Sequence, residues 1–133
     1  MSNAVATAIY SKVTGSINTF DTAIGGRIYY QQAPQEATYP FCVFFLIDER
    51  YDYMFLEEFE EHVIQFNIYS NDTASSDEAG DIYGYLTTLF DWCTLTVSGF
   101  IHLKMEREFA VLDKLEDDDV WQYAVQYRLL IRE

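Results

Sequence analysis

The chain has 133 residues, half of them hydrophobic, and a formal net charge of −14 at neutral pH. That length argues for one domain spanning 1–133, with enough apolar side chains to form a core unaided by metals or disulfides. Between Ile28 and Leu103 there are 13 acids and one base, Arg50, which argues against ordinary nucleic-acid binding, since that needs a basic footprint.

In chain order, Ala6, Ile9, Val13, Ile17 and Phe20 recur at spacings of three and four, which predicts an amphipathic helix over Ala4–Phe20. Ser2 and Asn3 suit its N-cap, and Gly25 and Gly26 permit a turn after it. Arg27–Gln31 reads as a short strand. A polar loop between Pro34 and Pro40 follows, and then an unbroken apolar run, Phe41–Ile47. Pro40 biases Tyr39 toward an extended conformation. The run is short, aromatic and β-branched, so it reads as a strand covered on both faces, continuing into Asp48–Tyr53.

A second strand is expected over Glu58–Tyr69, with His62, Ile64, Phe66 and Ile68 on the core side of a two-residue alternation. Between the two strands, DERYDYMFLEEFEE predicts a long hairpin with a projecting tip. Ser75 or Ser76 can cap the next helix, and Asp77 and Glu78 suit its positive end. Its apolar face is Ala79, Ile82, Tyr83, Leu86, Leu89 and Phe90, and it should end near Asp91–Cys93. Ile101, Leu103, Met105, Phe109 and Val111 share one parity of a further strand, with Arg107 as the exception. Glu116–Asp119 marks a turn. The last strand alternates Trp121, Tyr123, Val125, Tyr127, Leu129 and Ile131 with polar partners. The fold class is therefore α+β, a mostly antiparallel sheet with two helices on one face, in the order α-β-β-β-α-β-β.

Searching for chemistry yields little. There is no nucleophile elbow, no phosphate-binding or dinucleotide glycine loop and no zinc-binding helix motif. Neither a catalytic nor a cofactor site is expected. His62 and His102 lack the further ligands and spacing of a metal site. Asp72, Asp77, Glu78 and Asp81 do not match a calcium loop. Cys42 and Cys93 lie among apolar residues and read as reduced thiols, for which a reducing cytoplasm is the default setting. No basic segment precedes an apolar one at the N-terminus, so no signal peptide is expected, and no apolar run is long enough to cross a bilayer. The candidate site is instead the hairpin, where Tyr51, Tyr53, Met54, Phe55, Leu56 and Phe59 alternate with acids. Aromatic and Met side chains rimmed by charge are the composition of a protein interface. The competing reading is that these aromatics fold back onto the domain's own sheet.

The sequence GGRIYYQQAPQEATYPFCVFF, the strand ending VIQFNIYS, the capped helix DEAGDIYGYLTTLF and the closing QYAVQYRLLI together resemble the tail-completion proteins of long-tailed bacteriophages and prophages, also called tail terminator or head–tail joining proteins. The resemblance covers nearly the whole chain and is carried by structural motifs. It implies a small α+β subunit, no enzymatic activity and assembly into a homo-oligomeric ring, a hexamer. Such a ring caps the tail tube protein and docks to the head–tail connector protein, and DNA passes through its lumen. The implied location is the virion tail, after assembly in the bacterial host cytoplasm. A reading of a different class is an acidic binding module that mimics DNA or sequesters a basic protein.

Overall fold

The structure, a computed structural model, describes the backbone of residues 2–54, 57–72, 75–115 and 119–132, and within these the side chains of 4–47, 60–72, 75–115 and 119–132. It contains α1 (Ser2–Thr14), α2 (Thr19–Ala23), β1 (Ile28–Tyr30), β2 (Phe41–Met54), β3 (Glu57–Ser70), α3 (Asp77–Phe90), β4 (Ile101–Leu115) and β5 (Val120–Arg132). The strands form one sheet in the order β1-β2-β3-β5-β4. Among the described residues, only the β1–β2 pair is parallel. The fold is α+β as expected, with the helices on one face of the sheet. The element order matches except that the first helix is split.

Asn18 makes that split. Its side-chain amide donates to the Val13 carbonyl, 2.7 Å away, at the end of α1. Its Oδ1 accepts the Asp21 amide at 2.8 Å as the N-cap of α2. One side chain thus closes one helix and opens the next, satisfying backbone groups that helix ends leave unpaired. Ile17, expected on the buried stripe, consequently lies in the connection and is fully exposed. Phe20 is buried, but from α2. Gly25 and Gly26 close α2 at φ of 61° and 74°, where a side chain would be strained.

The core forms between the helices and the inner face of the sheet. Val5, Ile9 and Val13 of α1 and Ile82, Leu86 and Phe90 of α3 join Cys42, Phe44, Ile64, Phe66, Ile68, Val125, Tyr127, Leu129 and Ile131 in one buried cluster. The two-residue alternation expected for β3 and β5 is present: His62, Ile64, Phe66 and Ile68 are all buried. Phe66 is at the centre, with ring centroids 5.9 Å from Phe44, 4.9 Å from Phe90 and 5.9 Å from Tyr127.

The apolar run of β2 is covered on both faces only in its first half. On the outer face Phe41 is shielded by a stack of rings, Tyr39 at 5.1 Å and Tyr69 at 5.0 Å, with Tyr29 edge-on at 6.1 Å. The loop that delivers Tyr39 is tied down by Arg27, whose Nε donates to the Pro40 carbonyl at 3.0 Å. Beyond Phe44 this cover ends, and Ile47 is 47% exposed.

The largest departure from the expected pattern is β4. Register shifts fall between His102 and Lys104 and between Arg107 and Phe109. Each bulge inserts a residue and moves the next part of the strand to the other face. Met105 is buried against Leu129, whereas Phe109, paired with Gln126, and Val111, paired with Ala124, stay half-exposed. The shared parity of Ile101, Leu103, Met105, Phe109 and Val111 therefore does not become a shared face.

Cys42 and Cys93 are both free thiols. Burial pushes both up from the ordinary thiol range, Cys42 much further. Because the thiolate is the reactive form, Cys93 should react with a thiol reagent before Cys42. Cys42 should require denaturant, and labelling kinetics with and without urea check this; rapid native labelling of both would contradict the packing.

Candidate interaction surface

The expected hairpin exists as a continuous antiparallel ribbon. Tyr51 pairs with Glu60, Asp52 with Phe59, Tyr53 with Glu58 and Met54 with Glu57. It continues two pairs beyond Phe59–Arg132, where pairing to β5 ends. Of the six residues singled out in the sequence, Tyr51, Tyr53, Met54 and Phe59 are placed in these strands, while Phe55 and Leu56 lie outside the described residues. The side chains of 48–59 also lie outside them.

A second surface was not singled out from the sequence. β4 is an edge strand of 15 residues. It exposes Ile101, Leu103, Phe109, Val111 and Leu112, each at 39–52%. Long edges with apolar side chains invite pairing with another chain. The available signal was the run Phe109–Leu112, which is apolar at both parities and cannot be a simple half-buried strand.

On the outer face between β3, β5 and β4, Arg128 binds Glu61 and Glu108 together. Gln126 Nε2 donates to the other Glu108 oxygen at 2.7 Å. Lys104 sits 3.3 Å from Glu106. These pairs are partly solvated and add little stability individually, but they order the strand pair.

The two histidines serve different local structures. His62 is buried with its Nε2 3.1 Å from Glu60 Oε1. His102 Nδ1 accepts the Leu95 amide at 3.4 Å, and desolvation lowers its pKa from the ordinary value. Among the described residues, no group of three or more His, Cys, Asp or Glu side chains could hold a metal ion. No described helix is long and apolar enough to cross a membrane. The acids near α3 are also not gathered into one array. Asp77, Glu78 and Asp81 lie in its first turns and Asp91 is its C-cap, about 20 Å along the axis at ~1.5 Å per residue.

No family model and no curated protein matches the sequence. The fold has counterparts among solved structures. A chain in the virion of a native gene transfer agent particle superposes with a TM-score of 0.77, covering 97% of this chain and 98% of its own, at 12% identity. A second solved chain gives a TM-score of 0.61, covering 97% of this chain and 95% of its own, also at 12% identity. The fold is therefore shared over nearly the whole length of the chain.

Proposed function

We propose that this protein is a structural component of a phage-type virion, a subunit of a ring at the end of the tail tube that stops tube growth and joins the tail to the head connector. The observation that carries the reading is the end-to-end match to a chain from a gene transfer agent virion, with almost nothing left over on either side. The resemblance of several segments to tail-completion proteins supports the same reading. The mechanism is assembly: subunits bury strand-edge and aromatic surface against one another, and the completed ring leaves the tube no growing end. A lumen lined by an acidic protein would let DNA pass without holding it.

The acidic-module reading is less well supported. It requires carboxylates spaced along one exposed face. Glu60 is buried against His62, Glu61 is held by Arg128, and Asp91 is engaged by Arg107 and Tyr127.

The hairpin carries the test. In a particle-producing host, Met54→Ser with Phe55→Ser should give tubes of uncontrolled length that fail to join heads, while the purified variant keeps the wild-type circular dichroism. Tail length and joining are read by electron microscopy. Normal tails joined to heads in that variant would remove the hairpin from the mechanism, and absence of the wild-type chain from purified particles would remove the virion role.

A further inference from the structure

The sheet has two open edges, and they match each other. One is β4. The other is the distal half of β2, because β1 pairs only with Cys42, Val43 and Phe44. From Phe45 onward β2 has no strand partner on that side among the described residues. An unpaired row of backbone donors and acceptors is a template for another strand.

The strand directions determine what fits. β2 is antiparallel to β3, and β3 is antiparallel to β5, so β2 and β5 run the same way. β4 is antiparallel to β5 and so opposes β2. A second copy placed beside the first without being turned over therefore brings its β2 against β4 as an antiparallel pair. The heights also agree. Asp52 is level with Phe59, Arg132 and Ile101, and Leu46 with Ile64, Tyr127 and Arg107. The open stretch of β2, 46–52, thus stands at the level of Ile101–Arg107 on β4, about 23 Å of strand at ~3.3 Å per residue.

The two edges differ in charge, β2 being the acidic one. Along 46–52 lie Asp48, Glu49 and Asp52 with one base, Arg50, a net of −2. Along 101–107 lie Lys104 and Arg107 with one acid, Glu106, so this edge lacks the acidic excess of β2; Arg107 is held by Asp91 on the inner face and Lys104 sits beside Glu106. Each edge also presents apolar surface: Ile47 on β2, Ile101 and Leu103 on β4. A β2–β2 contact would face like charge with like, whereas β2–β4 does not.

We propose that copies of this chain join head to tail, the β4 edge of one pairing with the distal β2 edge of the next, so that the sheet continues from subunit to subunit. The two halves of such a contact are different, so it propagates around a ring and closes without leaving a free edge. This rests on the ring reading above and specifies how the ring is held.

The test uses two variants that each block one edge at an exposed position. Ile101→Glu places an acid level with Asp52 on the β2 edge. Ile47→Lys replaces the exposed apolar residue of the β2 edge by a hydrated charge, which disfavours pairing along an edge. In sedimentation at high concentration the wild type should form a multimer. Each variant alone should fall to the 15.5 kDa monomer with unchanged circular dichroism and melting temperature. An equimolar mixture should form a two-copy complex and stop there, because the one intact β2 edge meets the one intact β4 edge while both outer edges are blocked. Leu103→Lys, beside Lys104 at the level of Arg50, replaces Ile101→Glu if that variant does not fold. Without any substitution, hydrogen exchange of the wild type should gain protection at 46–52 and 101–107 together as concentration rises, and not in α3.

A monomeric wild type, a single variant that still assembles, or a mixture that stays monomeric would each overturn the proposal. A chain found at the tube end but monomeric in solution would overturn the edge pairing and leave the tail role standing. A multimer in solution that is absent from particles would do the reverse.

Discussion

Phe66→Ala should destabilise the domain by about 3–5 kcal/mol, the usual cost of deleting a fully buried ring. A domain of this kind has a total stability of about 5–15 kcal/mol, so the loss is a large share of it. The reason is position. Phe66 lies on the inner face of the sheet's middle strand and touches rings from three other elements, Phe44 of β2, Phe90 of α3 and Tyr127 of β5. None of these is on a free end that could close over the cavity. Val111→Thr, a same-shape change at an exposed position of β4, should stay within about 0.5 kcal/mol. Urea unfolding of both variants checks this. A Phe66→Ala loss below about 1 kcal/mol would mean that the aromatic cluster is not the centre of the core.

Asp91→Ala should cost about 1–3 kcal/mol, because it leaves a buried donor without its acceptor. Asp91 is the C-cap of α3, where a negative charge opposes the helix dipole. Its partners account for it. The Tyr127 hydroxyl donates to Asp91 Oδ1 at 2.6 Å, and Arg107 lies 3.3 Å from Oδ2 while also donating to the Tyr83 hydroxyl. The carboxylate thus ties α3 to β4 and β5 at once. Asp91→Asn keeps an acceptor for Tyr127 and should cost less than Asp91→Ala.

The same site predicts a pH dependence. Desolvation first, and the bond donated to Asp91, raise the Tyr127 hydroxyl above its ordinary value of 10.0. A pKa raised on folding contributes stability that is fully present below the unfolded value and is lost as pH rises above it. Stability should therefore fall above about pH 10, and Tyr127→Phe should reduce that fall. Urea midpoints at about pH 8 and about pH 11 measure the difference. An alkaline loss unchanged in Tyr127→Phe would assign it to other groups, such as Tyr69, which burial also raises.

Much of the fold was legible because strict alternation in β3 and β5 and the spacing of Ala79, Ile82, Leu86 and Phe90 in α3 each admit one face to a core. Ile17 misled because its spacing continued the stripe of α1, while the break depended on Asn18 bonding backwards to Val13. The hairpin was legible as a hairpin, from two alternating strands flanking Tyr51–Phe59. Its use as an interface was an inference from composition alone. The second surface was less legible still, because being an edge is a property of the sheet and not of the strand.

The sequence by itself determined where the long strands and α3 lie, which face of β3, β5 and α3 turns inward, and that the chain carries no recognisable catalytic motif. Those properties follow from periodicity and residue type, which are local. Only the tertiary structure decided that β5 inserts between β3 and β4, that the bulge between Arg107 and Phe109 turns Phe109 and Val111 away from Met105, and that β1 covers just three residues of β2. Strand order and register are settled by contacts between residues far apart in the chain. Those long-range pairings left β4 and distal β2 open at opposite edges of one sheet.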